Sequence, residues 1–574
     1  MIRFIKKVFL SLVFVMLTLG VPVMAEETVV NDVYAPHGMV SSAHELASRA
    51  GIDILHRGGN AIDAAVATAL ALNVVEFNGS GIGGGGYMTI RFAETGEVIC
   101  LDYREEAPAS ATRDMYASER SKGEKWSVRG GKAVGIPGWL KGIEYALSTY
   151  GTMTLAQVAS PAVRLAEEGV VVSRMHSGII AENFDGFSRY NDPEKVPFFE
   201  EGLPMEAGRV LKQPDLARTF RLVGEKGSDV FYNGEIGEAL VVAVNEAGGS
   251  MTMDDLRRYR IRVRRPVQGT YRGYRIFSMP PSSSGGTHVI QLLNIMENFD
   301  VKAMGHNTPA MSHTWAEATK LVFADRNRYM ADSDFVKLPL AGLLSKEYAQ
   351  ILAARIPETV AEEVEPGDPW EYEPNGQKTS YVGGVGSERQ STTSFSVVDQ
   401  RGNIVTSTNS INYFCGSGVM VPGYGILLNN EMDDFSQDPE SVNAPAPGKR
   451  PLSSMSPTII LDPQGRPFMS LGAAGSTRII TAIVQIIMNV IDHGMTMDEA
   501  IEKCRIHNQS GRTMLLDRNG ADASLVRALR AMGYDTNLSA PGKLGTAQGI
   551  LFDNLKGVMD GGADGRRLGV PVGF

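Results

Sequence analysis

The stretch "RQSTTSFSVVDQRGNIVTSTNSIN", residues 389–412, decides how this chain folds. Phe395, Val397, Ile404 and Val405 flank a turn, Asp399-Gln400-Arg401-Gly402-Asn403, whose glycine stands where hairpin turns need positive φ. The spacing predicts a β-hairpin. It does not explain the hairpin's head, Ser391-Thr392-Thr393-Ser394, a run of small hydroxyl residues opening an interior strand. Hydroxyls at strand ends are common and mostly structural, so the surroundings must supply the meaning.

Upstream, the segment 358–389 is acidic, rich in Pro and Gly and without apolar periodicity, which predicts an exposed, mobile connector ending at the hydroxyl cluster. Downstream the texture changes to closely spaced strands. "RPFMSLGAAGSTRIITAIVQIIMNVIDHG" (466–494) reads as a strand, a Gly/Ala turn and a long apolar helix to about His493. A connector followed by a strand-rich segment suggests a domain boundary near residue 390. Before it, helices are predicted over 43–56, 61–75, 155–168, 216–225, 236–247 and from 287. The second of these is apolar nearly all round and therefore buried. "GSGIGGGGYMTIRF" (79–92) runs loop then strand, without Gly-Lys-Ser/Thr. A phosphate cradle needs strand, loop, then helix, so these glycines are read as close backbone packing.

At 574 residues, length alone suggests about three or four domains. The net charge of −10, with no offsetting basic block, argues against nucleic acid as a partner. The opening "MIRFIKKVFLSLVFVMLTLGVPVMAEE" joins Arg3, Lys6 and Lys7 to an apolar run and the small-x-small site Val23-Met24-Ala25. It predicts a secretory signal, residues 1–25, whose removal leaves an exported periplasmic or extracellular protein with no membrane anchor. Cys100, Cys415 and Cys504 are too few for a disulfide framework and match no metal spacing. The nine histidines are scattered. No metal and no cofactor is expected.

A threonine hydroxyl is a poor nucleophile unless a base takes its proton. The residue's own α-amine suits that task, with an unperturbed pKa of about 7.7–8.0. An interior threonine gains that amine only if the preceding peptide bond is cut, and its own hydroxyl can make the cut through an ester that water opens. A connector ending at Ser391 is what such a cut requires. Acyl transfer also needs donors for the oxyanion, and "GAAGSTR" (472–478) supplies a tight turn running into a helix. Gly475 and Ser476 are its candidates.

Several long motifs then fall in a recognisable order: "GGNAIDAAVA", "LDYREEAPASATRDM", "MPPSSSGG", "STTSFSVVD", "GYGILLNNEMDDFS", "KRPLSSMSPTI" and "STRIIT". Together they resemble the γ-glutamyltranspeptidase family from about residue 30 to the C-terminus. The resemblance implies an N-terminal-nucleophile hydrolase of α+β class, a four-layer αββα sandwich with one composite core built from two subunits of a cleaved precursor. It places cleavage between Ser391 and Thr392, giving a large subunit 26–391 and a small subunit 392–574 that stay together as a heterodimer. Thr392 would be nucleophile and base, with Thr393 its rival in sequence. Ser410 would orient it, and Gly475 and Ser476 would hold the oxyanion. Arg104, Ser453 and Ser454 would bind the substrate α-carboxylate, a task suited to a bidentate guanidinium. Asn412, Glu431 and Asp434 would bind the α-ammonium.

The implied activity is hydrolysis or transfer of a γ-glutamyl group from glutathione or a related compound, with water, an amino acid or a peptide as acceptor. The sequence departs from the family pattern at Ser394, where His is usual beside "TT", at Ser410 and Ser476, and near Glu76 in "VVEFNGSGIGGGG". The 434–449 segment is short beside members that carry a lid loop, which predicts an open site. A second reading is therefore an acylase of glutaryl or β-lactam substrates, or a poly-γ-glutamate-cleaving enzyme, on the same scaffold. A third is a binding protein that kept the fold and lost its activity; the retained Thr392, Arg104 and Asp434 weigh against it.

Overall fold

The computed structural model describes residues 32–374, 382–384 and 391–574. The leader at residues 1–25, and connector residues 375–381 and 385–390, lie outside these. The hairpin forms as predicted. Thr393–Val398 pairs antiparallel with Ile404–Ser410, Val397 opposite Val405, and Gly402 takes φ +82° in the turn. Asp399 accepts from the backbone N–H groups of Arg401 and Asn403, and its other oxygen accepts from Ala61 N at the start of the Ala61–Val75 helix.

That hairpin is the middle of a seven-stranded sheet ordered Val570–Gly573, Met39–Ser42, Thr393–Val398, Ile404–Ser410, Gly85–Arg91, Val98–Asp102, Arg262–Arg264. A second seven-stranded sheet runs Val33–Ala35, Val558–Ala563, Thr546–Asp553, Pro467–Ala474, Thr458–Leu461, Tyr274–Ser278, Val267–Tyr271. The two face each other: Met39, Val398 and Ile404 of the first share an apolar cluster with Phe277, Ile459 and Ile550 of the second. Helices Glu45–His56 and Ala61–Val75 cover the first sheet's outer face. Gly285–Met296, Pro309–Tyr329 and Arg478–Ile491 cover the second. The layers are helix, sheet, sheet, helix. Every residue of both hairpin strands is buried, as sheets covered on both faces require.

Both sheets combine strands from before and after residue 391. No domain boundary therefore falls near residue 390, and the several domains expected from length merge into one composite core. The connector differs from its sequence reading as well. Pro369–Tyr372 makes a short 3₁₀ turn that buries Trp370 against Tyr329, Gly367 N donates to Asp325 (2.8 Å) and Lys320 Nζ donates to Ala361 O (2.7 Å). A single buried indole anchors this stretch, which no periodicity could announce.

Most of the hydroxyl cluster is explained by packing. The two sheets approach so closely that a Cβ on Gly472 would lie 2.2 Å from Ser394 Oγ. Ser394 donates to Ser407 O (3.2 Å), while Ser396 accepts from Ser470 Oγ (3.0 Å) and donates to Thr406 Oγ1 (3.3 Å). Small hydroxyls fit a thin layer and pair with one another, as buried polar groups must. The glycine run packs in the same way: a Cβ on Gly83 would sit 1.9 Å from Leu427 O, and one on Gly84 2.1 Å from Ser410 O.

Candidate active site

Thr392 stands one residue ahead of the strand and does not belong to that packing. Its Oγ1 lies 3.1 Å from Ser410 Oγ. Ser410 Oγ in turn accepts from Asn412 N (2.8 Å), which leaves the serine proton free to point at the threonine. Thr392 has φ +103°, Asn412 +70° and Ser476 +59°. A left-handed backbone at a β-branched residue costs about 1–3 kcal/mol, and such strain gathers at functional sites. Opening the Ser391–Thr392 bond removes that constraint. Ser391 itself is buried and donates to Asn78 O (3.2 Å).

Thr392 opens on a partly open cavity that also brings together Ser410, Asn412, Ser476, Arg104, Glu431, Asp434, Ser453 and Ser454. Gly475 is not part of its lining. It sits in the turn between the Pro467–Ala474 strand and the Arg478–Ile491 helix, with φ +137°. There the first helical bonds are donated by Arg478 and Ile479 into the carbonyls of Gly475 and Ser476, so the amides of those two residues precede the helical ladder. Helix starts of this kind offer N–H groups to an anion.

Arg104 follows the Val98–Asp102 strand and is 1% exposed. Its guanidinium donates to Glu431 Oε1 and Asp434 Oδ2, and to the carbonyls of Pro451 (3.2 Å) and Leu452 (3.4 Å). The pocket thus already holds one cation between two carboxylates. Glu431 Oε2 has no hydrogen-bond partner among the described residues. Asn412 Nδ2 donates to Asn430 O (3.0 Å), and Ser453 Oγ accepts from Met455 N (3.1 Å). Ser454 Oγ accepts from Arg326 Nη2 (3.0 Å), and Arg326 lines the cavity too. Arg326 was missed in the sequence. It lies among Asp325, Asn327 and Arg328 at the end of a long helix, where nothing in the sequence singles it out.

A third carboxylate, Glu105, is buried beside this group, and neither of its oxygens has a hydrogen-bond partner among the described residues. Burial pushes it up to about 8, against the pull of Arg104. Glu431 is raised by burial with Arg104 opposing. Asp434, whose side chain keeps 20% of its surface open, is raised to about 6 for the same reasons. The sign follows by linkage. A carboxyl raised in the folded state keeps a proton that the unfolded chain releases, so stability is lost as pH climbs from about 4.5 through about 8. We expect uncut Thr392→Ala protein to melt at a lower temperature at pH 8 than at pH 6. Adding Glu105→Gln should shrink that difference, and calorimetry of the two variants at both pH values checks it.

The family model described as gamma-glutamyltranspeptidase matches residues 47–574. The chain belongs to the γ-glutamyltranspeptidase family. It is 39% identical over 541 residues to the glutathione hydrolase proenzyme of Bacillus subtilis (strain 168), covering 94% of this chain and 91% of that one. It is also 38% identical over 543 residues to an acylase ACY 1 proenzyme of Pseudomonas sp. (strain SE83), covering 93% of each. Among solved structures it resembles the cephalosporin acylase of Bacillus halodurans, with a TM-score of 0.84, 30% identity and coverage of 95% of this chain and 97% of that one.

Two departures from the family pattern are now placed. Ser394 lies between the sheets and does not line the cavity. The short 434–449 segment is folded on itself: Asn443 Nδ2 donates to Asp434 O (2.8 Å), and its Oδ1 accepts from Leu452 N (3.2 Å). Of that segment only Asp434 lines the cavity.

Proposed function

We propose that this γ-glutamyltranspeptidase-family protein is a self-processing γ-glutamyl hydrolase and transferase with Thr392 as its nucleophile. One observation carries the reading: the Thr392 hydroxyl shares a cavity with a guanidinium already clasped by two carboxylates. An amino-acid head group is a zwitterion, and it can enter that cluster by exchanging partners. Its α-carboxylate takes Arg104, with Ser453 and Ser454, while its α-ammonium takes Glu431, Asp434 and Asn412. The exchange conserves charge, so no ion is left unpaired in a buried site.

Processing comes first. Thr392 Oγ1 attacks the Ser391 carbonyl, the amide C–N bond breaks and an ester forms. Water opens that ester, leaving a Ser391 carboxylate and a free Thr392 amine. In turnover the amine accepts the Oγ1 proton as the oxygen attacks the γ-carbonyl of the donor. The Gly475 and Ser476 amides hold the oxyanion, and Ser410 fixes the attacking oxygen. The ammonium protonates the departing amine (Cys-Gly when the donor is glutathione), and water or an amino acid then resolves the γ-glutamyl ester. We place the leader 1–25 outside the mature protein, and the mature chains, 26–391 and 392–574, outside the cytoplasm.

The acylase-named relative supports a second reading with the same chemistry on a glutaryl-type acyl group. The two substrates differ at one point, since a glutaryl group has no α-ammonium for Glu431 and Asp434. A comparison of γ-glutamyl anilide with glutaryl anilide decides between them. We expect faster turnover of the γ-glutamyl compound by about tenfold or more, the scale of one charge-assisted hydrogen bond. Faster cleavage of the glutaryl compound would overturn the ammonium-binding roles.

A further inference from the structure

Glu76 opens the stretch that differs from the common family version, and the function proposed above gives it no task. It caps the C-terminal end of the Ala61–Val75 helix, fully buried, and neither carboxylate oxygen makes a hydrogen bond among the described residues. Its nearest cation is Arg567, from the far end of the chain, with Nη1 at 3.6 Å from Oε1. The same Nη1 donates to the carbonyl oxygen of Thr392 at 3.2 Å. The Arg567 guanidinium also lies 5.3 Å from the centre of the Phe414 ring, and its side chain is only 5% exposed. A buried ion pair is thus built directly behind the nucleophile.

The position of the contact gives it consequence. Once the bond before Thr392 is cut, no upstream chain restrains that residue. Its side chain is held by Ser410, and its own carbonyl is held by Arg567. The carbonyl fixes the plane of the Thr392–Thr393 peptide. With that plane held at one end and Oγ1 held by Ser410 at the other, rotation about the Cα–C and Cα–Cβ bonds is restricted, and with it where the new amine points. We propose that Arg567, braced by Glu76, is a positioning residue: it orients the α-amine that serves as base, and its charge favours that amine's neutral form. This rests on the reading of Thr392 as nucleophile.

A cation one residue's backbone away disfavours the ammonium, and Glu76 partly offsets it. The amine also faces the cavity charges Arg104, Arg326, Glu431 and Asp434, and His176 lies close enough to Arg567 to feel its field. These groups are unchanged in an Arg567 variant.

The test uses Arg567→Gln, Arg567→Lys and Thr392→Ala in the full-length protein, with a γ-glutamyl anilide as donor. We expect Arg567→Gln to lower kcat by about ten- to a hundredfold, the scale of a misplaced catalytic group, with KM within about twofold. The acidic limb of kcat against pH should move to higher pH, and Arg567→Lys should recover most of the rate. Wild-type kcat with an unmoved limb would overturn the proposal, and so would a loss confined to KM. If Arg567→Gln stays uncut, the pair acts before the amine exists, and its assignment as the residue that orients the amine is overturned. If that variant loses its cooperative melting transition, the pair only holds the fold and the proposal fails. Thr392→Ala separates the two claims: a cut or active Thr392→Ala protein removes the nucleophile assignment itself, whatever Arg567 does.

Discussion

Thr392→Ala should yield one uncut polypeptide with γ-glutamyl turnover reduced by on the order of 10⁶-fold, the loss seen when an acyl-transfer nucleophile is removed. Both effects follow from a single oxygen. Without Oγ1 nothing attacks the Ser391 carbonyl, so the chain stays continuous and the amine never forms. The fold should survive, because the hairpin ladder begins at Thr393 and the inter-sheet hydroxyls Ser394 and Ser396 keep their partners. Denaturing gels and an anilide assay read the two losses separately. Two bands matching the wild-type subunits would falsify the assignment.

Arg104→Met is the second large effect. The substitution removes the cation that pairs with both Glu431 and Asp434 while keeping an unbranched side chain of similar reach. Breaking a buried ion pair from one side costs about 3–5 kcal/mol, because the partner charge stays buried without compensation. We expect kcat/KM for a γ-glutamyl donor to fall by about 10²- to 10³-fold, nearly all of it in KM, alongside a lower melting temperature. Adding Glu431→Gln should restore part of the melting temperature and none of the affinity, since the α-carboxylate still lacks its guanidinium. Initial rates against donor concentration, with calorimetry of both variants, check this. An unchanged KM would mean that Arg104 only maintains the fold.

Much of this site was legible in the sequence because its residues sit in long contiguous motifs. Thr392, Ser410 and Asn412 lie on one hairpin, and a hairpin's spacing can be read directly. The Gly/Ala turn before the Arg478–Ile491 helix was legible in the same way, as a tight turn running into a helix. What could not be read depends on distant segments meeting. Arg326 comes from the last turn of the Pro309–Tyr329 helix and reaches Ser454 across 128 residues. Arg567 reaches Thr392 across 175, and nothing near either residue hints at the other. The connector misled for a related reason: low apolar periodicity describes 358–389 correctly, yet one tryptophan is enough to pin part of it. The pairing of Arg104 with Glu431 and Asp434 is also invisible in the sequence, because the resemblance gives the three to opposite ends of a substrate and Arg104 lies more than 300 residues from the other two.

The hydroxyl cluster carries two meanings at once. Ser394 and Ser396 are small and polar because two sheets meet there, whereas Thr392, one step ahead of the ladder, meets a cavity. The same composition serves structure and chemistry, and only the position relative to the strand's first rung separates them.

Intact mass and N-terminal sequencing of purified, fully active protein test the account most directly. The account predicts two polypeptides, the smaller beginning at Thr392. Full activity in a single continuous chain, or a small chain that begins at Thr393, would contradict it.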